Sequence, residues 1–408
     1  MRKKAIMSVR GKAVHRANAN FAALMIGLTA LAPAAAGQAP ASIDYFSEPF
    51  RIERILDRGE RPDWSHDGRT IAFTESDMAA SPAHEIDVAT RQVRCLTCRW
   101  GANGLVTRIY YLPSGNFLVL GPPGLGTARL HRDGKPHSDP ATTELYWMPA
   151  SLAIPPQRLD APAWGEIAIH AVPTVTGGVK IAWGTSDAGK SLILTGELVE
   201  AGDRAFIADR RTVCEHDHAS GEKDESTFAE TYNFRRDGKA ISFWSVDRSL
   251  NGEMFELDLA SGRVCNLSND PAHDETHFFP DERYGLEESN RASDPAGPLR
   301  GISSLEAGGI RAIAGLLGHD AKALGNLDDY APSGPNRGVG RKFDLFLTSM
   351  AGPKRLRRLT ELSHIGGGAH QSVVAPDGRR IAFALQPPPT GPYRDKGGLY
   401  VGYFGAER

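Results

Sequence analysis

The chain has few cysteines, no excess of positive charge and no long hydrophobic run beyond its first segment. After residue 31, no stretch reaches the roughly 18 apolar residues that a membrane-spanning helix needs. No cysteine follows the early apolar run to accept a lipid anchor. The Gly-x-Ser-x-Gly motif of α/β-hydrolases is also absent, which excludes serine-peptidase chemistry of that type. We therefore expect a protein without a membrane span.

Residues 1–36 have the composition of a secretory signal peptide. Six Lys and Arg residues and no acidic residue precede an apolar run at 21–31, and Ala34-Ala35-Ala36 follows as a small-residue cleavage signal. Without this segment, 47 basic against 49 acidic residues becomes 41 against 49. A mildly acidic chain is a poor partner for nucleic acid or anionic lipid. We predict a periplasmic or secreted monomer in which 37–408 form a single domain.

The four cysteines include only one close pair, Cys95-Leu96-Thr97-Cys98, whereas Cys214 and Cys265 are isolated. In an exported chain such a pair forms a structural disulfide or remains as idle thiols. A redox motif or a metal site would be expected with a βαβ pattern or a second close pair, and the sequence has neither. We predict a disulfide or idle thiols at Cys95 and Cys98.

The strongest signal is an internal repeat, since residues 61–73, 233–243 and 372–383 align with one another. Each copy has a short apolar strand, an Asp-Gly turn, a basic residue and an alternating strand ending in Phe. Glycine supplies the positive φ that a tight hairpin turn requires, and aspartate tolerates it. Weaker copies occur at 112–119 and 279–286. The repeat predicts a series of antiparallel hairpins.

A second half-repeat follows the turn, which gives four short strands per unit. One such sheet cannot bury both faces alone and must stack on its neighbours, as the blades of a β-propeller do. We therefore predict an all-β fold, most simply a propeller of six four-stranded blades, near residues 59–98, 105–158, 164–212, 228–268, 275–360 and 369–404. The second and third units are poorly patterned, so five or seven blades are the alternatives.

Two segments fall outside this regular plan. Residues 45–56 alternate like a strand and are predicted to close the ring by pairing with the last blade, which removes exposed edges. Residues from about 287 to 340 form a Gly- and Pro-rich insertion in the fifth unit. Loops of this length are either functional or disordered, and both alternatives stay open.

These copies resemble the WD-like repeat of TolB and of the propeller domains of prolyl-oligopeptidase relatives. The resemblance covers residues 45–404 and implies the propeller fold, but no particular activity, because one fold hosts many functions. TolB carries an α/β domain ahead of its propeller, and the oligopeptidase relatives append a hydrolase domain. The sequence shows no pattern for either, so a role in the Tol system or in peptide hydrolysis is not implied.

Polar residues that precede the first strand of each unit should gather at the central channel of a propeller. This rule nominates a set of candidate binding residues, namely Glu166, Glu230, His273, Glu275, His277, His370 and Gln371. Imidazole, amide and carboxylate groups from different blades could form a carboxylate-binding pocket or a site for a divalent metal, manganese or calcium. The alternative is that the histidines are hydrogen-bonded structural residues.

A specific parallel is the oligogalacturonate lyase family, whose propellers of this repeat type hold manganese with histidines and a glutamine. The partial match to its motif implies His277, His370 and Gln371 as ligands, although one histidine of that pattern is missing. A second cluster around His216 and His218 is either a metal clip or a solvated acidic loop.

Two functions follow from these patterns. The first is a non-enzymatic module that binds a protein partner or a polysaccharide of the cell envelope through the channel mouth and the insertion. The alternative is a metal-dependent lyase or hydrolase that acts on acidic oligosaccharides.

Overall fold

The structure is a computed structural model that describes residues 43–76, 80–122, 143–187, 190–217, 229–246, 252–268, 274–292, 343–388 and 392–405. The predicted signal peptide, His218, His273 and most of the predicted insertion lie outside these ranges. In the described part of the chain, no helix has the length and apolar character needed to cross a membrane.

The described residues form 25 strands, and the described connections include the 3-10 turns Cys98–Gly104, Leu362–Ile365 and Arg394–Lys396. In chain order, the strands are β1 Phe50–Leu56, β2 Glu60–Trp64, β3 Thr70–Thr74, β4 Ser81–Asp87, β5 Val93–Cys95, β6 Leu105–Val106, β7 Arg108–Tyr111, β8 Phe117–Gly121, β9 Glu144–Met148, β10 Gln157–Pro162, β11 Trp164–Ile169, β12 Val179–Asp187, β13 Lys190–Ala201, β14 Arg204–Asp217, β15 Ala229–Phe234, β16 Ala240–Val246, β17 Gly252–Asp258, β18 Val264–Asn266, β19 Asp274–Phe278, β20 Tyr284–Ser289, β21 Asp344–Ser349, β22 Leu356–Arg358, β23 Gly368–Val374, β24 Arg380–Gln386 and β25 Gly398–Phe404.

Antiparallel pairing joins these strands into six blades, which confirms the predicted propeller. Blade 1 has the order β2-β3-β4-β5, with β6 pairing to β4. Blades 2 to 5 follow as β7-β8-β9-β10, β11-β12-β13-β14, β15-β16-β17-β18 and β19-β20-β21-β22. Blade 6 has the order β23-β24-β25-β1, so its outermost strand comes from the other end of the domain.

The Asp-Gly dipeptides form the turns between the first and second strands of their blades. Gly68, Gly238 and Gly378 have φ values of 66°, 67° and 67°, the left-handed region that glycine adopts without steric cost. The preceding aspartate caps each turn, because its carboxylate accepts a hydrogen bond from the backbone N–H two residues on, as Asp67 does from Arg69 at 3.0 Å. The repeat is therefore a turn signature.

The weaker copies show what happens when the dipeptide changes. Gly115 keeps the positive φ, 85°, after a serine. In blade 5, Glu282 takes the glycine position with a φ of 56°, which costs a residue with a Cβ roughly 1 kcal/mol or more. The hairpin still forms, since Asp281 caps it through the N–H of Arg283 at 3.1 Å.

The ring closes through β1, as the sequence predicted. β1 pairs antiparallel with β25, from Phe50 opposite Phe404 to Leu56 opposite Leu399. The segment before β1 is held on blade 5, where Arg357 Nη1 donates to the carbonyl oxygen of Glu48 at 2.6 Å. Closure leaves the edge of β25 covered, which is the usual solution to an exposed sheet edge.

Apolar side chains fill the spaces between blades. Six large aromatic residues on the strands are all at most 5% exposed, namely Trp64, Trp147, Trp164, Trp183, Phe243 and Trp244. Burying a large apolar side chain contributes on the order of 2 kcal/mol. These residues therefore contribute to the core.

Candidate functional site

The first strands of all six blades line one central cavity of about 370 Å³. This volume lies at the lower end of the range for small-molecule sites. Apolar and polar groups alternate around its wall, which consists of Arg61, Pro62, Asp63, Trp64, His66, Arg108, Ile109, Tyr110, Tyr111, Glu166, Ile167, Ile169, Ala171, Tyr232, Asn233, Glu275, His277, Phe278, Pro280, Gln371, Val373, Val374 and Pro376.

β-Bulges turn several of these side chains towards the cavity. The register of the first strand shifts between Glu60 and Asp63 in blade 1 and between His370 and Val373 in blade 6. Arg61 and Gln371 lie in these bulges with φ values of 53° and 54°. A bulge adds a residue to one strand and redirects its side chain, and non-glycine residues with positive φ cluster at functional sites.

Blade 3 has an equivalent bulge at a glycine. The register of β11 shifts between Trp164 and Ile167, and Gly165 has a φ of 63°. A Cβ at Gly165 would lie 2.4 Å from Cγ of Glu230, so no larger residue fits there without moving that glutamate. The bulge thus places Glu166 at the cavity wall and Glu230 directly behind it.

An arginine–glutamate–arginine group joins blades 1, 2 and 3. Glu166 forms an ion pair with Arg61 and accepts a hydrogen bond from Arg108 Nε at 3.0 Å and another from the Tyr110 hydroxyl at 2.6 Å. The side chains of Arg61 and Arg108 are only 9% and 8% exposed. Burial works to raise the pKa of Glu166, but the guanidiniums of Arg108 and Arg61 outweigh it and hold that pKa below its ordinary value. Glu166 is therefore a buried carboxylate.

The opposite side of the cavity, from blades 4 and 5, is acidic and aromatic. The Tyr232 hydroxyl donates to Glu275 Oε2 at 3.0 Å. Burial, together with the negative charge of Glu166, raises the pKa of Glu230 to about 7. On the other side, in blade 1, burial likewise raises the pKa of Asp63 to about 7, although Asp63 accepts a hydrogen bond from the backbone N–H of Tyr111 at 2.7 Å. Two carboxyl groups at this site therefore titrate near neutral pH.

His277 lies on the same side. Its ring packs edge-on against Tyr232, with the ring centroids 4.8 Å apart. Burial lowers the pKa of His277 to about 4, so the imidazole is neutral at physiological pH. A neutral imidazole can accept a hydrogen bond or bind a metal, but it contributes no charge.

The structure places the predicted site residues in two groups. Glu166, Glu275, His277 and Gln371 line the cavity. Glu230 lies behind Gly165, and His370 is 1% exposed with its Nδ1 3.3 Å from Glu60 Oε2, so neither belongs to the wall.

Arg61 and Arg108 are two wall residues that the sequence rule missed. Counting six residues back from Asp67, Ser114, Asp281 and Asp377 reaches Arg61, Arg108, Glu275 and Gln371, all of which line the cavity. The same count from Asp237 reaches Thr231, which is buried outside the wall, so the turn provides a register for the channel in four of the five copies. Counting from the turn, rather than searching for polar residues ahead of each strand, would have found both arginines.

The three predicted metal ligands differ in their position relative to the cavity. His277 and Gln371 line the cavity, whereas His370 is held outside its wall. In the described residues, one group of three His, Cys, Asp or Glu donors lies close enough to share an ion, and it consists of His84, Cys95 and Cys98 in blade 1. A metal site formed by His277, His370 and Gln371 therefore stays a prediction.

Fold and site define a six-bladed β-propeller with a polar central cavity that contains a buried arginine–glutamate–arginine group. No protein-family model matches the chain, and no curated protein matches it. Solved structures similar to it include a putative TolB from Agrobacterium tumefaciens, at 14% identity over 76% of this chain and 79% of that chain, with a TM-score of 0.44.

Two further solved structures are similar to it. Regucalcin from Agrobacterium tumefaciens, a calcium-binding protein, is 10% identical over 87% of this chain and 94% of that chain, with a TM-score of 0.45. An oligogalacturonate lyase in complex with manganese is 11% identical over 84% of this chain and 76% of that chain, with a TM-score of 0.41. The assignment of the propeller fold rests on the six antiparallel sheets of this chain.

Proposed function

We propose that this chain is a non-enzymatic binding propeller of the TolB-like type and that its central cavity holds a carboxylate-bearing sugar of an acidic glycan. The observation that carries the proposal is the pair of guanidiniums, Arg61 and Arg108, at the wall of a cavity lined by all six blades. A guanidinium is a planar fork of five donors, whose geometry matches a carboxylate. Enclosure in a poorly solvated site strengthens such a contact.

The remaining wall groups suit the hydroxyl groups of a sugar. Glu275, Asn233 and Gln371 offer carboxylate and amide oxygens, which accept hydrogen bonds from hydroxyls. The faces of Ile109, Val373 and the neighbouring prolines provide apolar contact for a sugar ring. A volume of about 370 Å³ suits one or two sugar units rather than a long chain.

The signal-peptide pattern at residues 1–36 supports a location in the periplasm or outside the cell, where such glycans occur. The mild acidity of residues 37–408 supports a partner other than nucleic acid. We propose a monomer that acts in the cell envelope.

Calorimetric titration of the purified mature chain with digalacturonate tests the proposal. Digalacturonate should bind, and its methyl ester, which lacks the carboxylates, should bind at least about tenfold more weakly. Arg108→Lys keeps the charge but loses the planar fork, and it should also weaken binding about tenfold or more. Arg158→Lys is the matched control, because this arginine lies outside the cavity wall and is 54% exposed.

Equal affinity for the acid and its ester would overturn the proposal. The same conclusion would follow if Arg108→Lys, shown to be folded by its thermal transition, bound like the unmodified chain. Tight binding of an acidic peptide with no binding of digalacturonate would favour a protein partner instead.

The metal-dependent lyase remains a second candidate, favoured by the neutral imidazole of His277, which lines the same cavity as Gln371. Elemental analysis of the oxidised protein tests it. One equivalent of manganese or calcium that is lost in His277→Ala would support the lyase, and a metal-free protein that still binds digalacturonate would remove it.

A further inference from the structure

The outer edge of blade 1 brings together four side chains that no part of the proposed binding function uses. His84 on β4 pairs in register with Cys95 on β5. Cys98 follows at the start of the next turn, and Glu75 lies just after the end of β3. Cys95 and Cys98 are joined by a disulfide, with their Cα atoms 5.7 Å apart.

The distances around His84 are close to those of a tetrahedral metal site. Nε2 of His84 lies 4.0 Å from Cys98 Sγ and 3.6 Å from Glu75 Oε1. With Zn–S near 2.3 Å and Zn–N or Zn–O near 2.1 Å, a tetrahedron has N···S and N···O edges of about 3.6 Å and 3.4 Å. The donor atoms of His84, Cys95 and Cys98 all lie within 4.8 Å of one another. Small side-chain rotations therefore complete the geometry.

The loop that carries the two sulfurs is held by hydrogen bonds that do not depend on the disulfide. Thr97 Oγ1 accepts a hydrogen bond from the N–H of Ala83 at 2.9 Å, and the N–H of Leu96 donates to the carbonyl oxygen of Ala83 at 2.8 Å. The N–H of Cys98 points at Cys95 Sγ from 3.0 Å, an arrangement that stabilises a thiolate. The loop is expected to keep its shape when the sulfurs are reduced.

His84 is already prepared for a ligand role. Its side chain is 9% exposed, and its ring stacks on Phe73 with the centroids 5.4 Å apart and the planes at 22°. Burial lowers the pKa of His84, which favours the neutral imidazole, the form that binds metals. Arg58 Nε lies 3.6 Å from the same Glu75 oxygen, but Arg58 is half exposed and can turn into solvent.

We propose that reduction of the Cys95–Cys98 disulfide converts this edge into a zinc site, with Cys95, Cys98 and His84 as ligands and Glu75 as the fourth. Thiolates and imidazole together favour zinc over calcium or manganese. In the oxidised protein the disulfide joins the two ends of the Cys95–Cys98 loop. In the reduced protein the bound zinc ion would join them instead.

The chemistry balances in two steps. A dithiol reductant gives two electrons and two protons to the protein disulfide and becomes a disulfide itself, which leaves Cys95 and Cys98 as thiols. Binding of Zn²⁺ then releases two protons as the thiols become thiolate ligands. The site therefore reports the thiol state of the compartment.

Cobalt(II) titration of the full chain tests this assignment, because Co²⁺ bound to thiolates in a tetrahedral site absorbs strongly. After reduction with a phosphine, we expect one equivalent of Co²⁺, which Zn²⁺ displaces. The oxidised protein should bind none. Cys95→Ser with Cys98→Ser should bind none in either state, and His84→Ala should bind at least about tenfold more weakly.

The matched control is Cys214→Ser with Cys265→Ser, which removes the two cysteines that are outside the disulfide and should leave the Co²⁺ spectrum unchanged. The assignment would be overturned if the reduced protein bound no Co²⁺, or if binding survived the loss of Cys95 and Cys98. The comparison of oxidised and reduced native protein decides the question even if a variant fails to fold.

Discussion

The two sides of the central cavity handle buried charge in different ways. In blades 1 to 3, Glu166 is surrounded by Arg61, Arg108 and the hydroxyl of Tyr110, so its carboxylate stays ionised despite burial. In blade 4, burial dominates, and Glu230 keeps its proton up to a pH of about 7, as does Asp63 in blade 1, where burial and the charge of Glu166 act in the same direction. The difference shows that partners, rather than depth alone, decide which carboxyl groups of this cavity carry charge.

The largest effect on the free energy of unfolding is expected from removing the charge of Glu166, which lies at the centre of the arginine–glutamate–arginine group. Glu166→Gln leaves the buried guanidiniums of Arg61 and Arg108 without their shared carboxylate. Breaking a buried ion pair in this way typically costs about 3–5 kcal/mol. Urea unfolding should show a loss of about this size. Glu53→Gln is the control, since Glu53 pairs with Arg91 at the surface and should cost less than about 1 kcal/mol.

If Glu166→Gln and Glu53→Gln destabilised the protein equally, the arginine–glutamate–arginine group would not be a buried ion pair, and the contrast between the two sides would disappear.

The carboxyl group of Glu230, on the second side, should affect how the stability of the fold depends on pH. The pKa of Glu230 is about 7 in the folded chain and near 4.3 in an unfolded chain. Between these values the folded state holds a proton that the unfolded state has released, so this group makes stability fall as pH rises towards 7. Glu230→Gln should reduce that slope by up to about 1.4 kcal/mol per pH unit.

Asp63→Asn should act in the same direction, because the pKa of Asp63 is raised in the same way. Thermal unfolding measured from pH 5 to pH 8 is the test. A Glu230→Gln variant with the slope of the native protein would mean that Glu230 is ionised across this range, as Glu166 is.

A smaller effect on the free energy of unfolding is expected from removing a hydroxyl that contacts the acidic side. Tyr232→Phe removes the hydrogen bond to Glu275 and should cost about 1–2 kcal/mol of unfolding free energy. Tyr400→Phe removes an exposed hydrogen bond to the carbonyl oxygen of Lys396 and should cost less. If Tyr400→Phe lowered the free energy of unfolding more than Tyr232→Phe did, the hydrogen bond from Tyr232 to Glu275 would not stabilise the fold.

The fold was predictable from sequence because the repeat is a local turn with its own chemistry. Asp67-Gly68 and its two full copies specify a capped hairpin, and neighbouring blades need only stack. Blade 3 was poorly patterned because its strands are unusually long, with β14 reaching from Arg204 to Asp217. The closing strand was predictable because a lone alternating segment has no partner but the last blade.

The site was predictable in part. Glu166, Glu275, His277 and Gln371 were identified because polar residues at strand starts face the channel. The ion group with Arg61 could not be anticipated, because it depends on a β-bulge and on contact between separate blades. His370 takes a different position, since the bulge places Gln371 at the wall while His370 pairs with Glu60.

The most direct test of the account is the affinity for digalacturonate measured by calorimetry between pH 6 and pH 8. Arg61 and Arg108 attract the ligand throughout this range, whereas Glu230 and Asp63 gain negative charge as they lose protons near pH 7. We expect the affinity for digalacturonate to fall by roughly tenfold as the pH rises from 6 to 8, and Glu230→Gln should reduce this fall in affinity. Affinity that stays constant or increases with pH would contradict it.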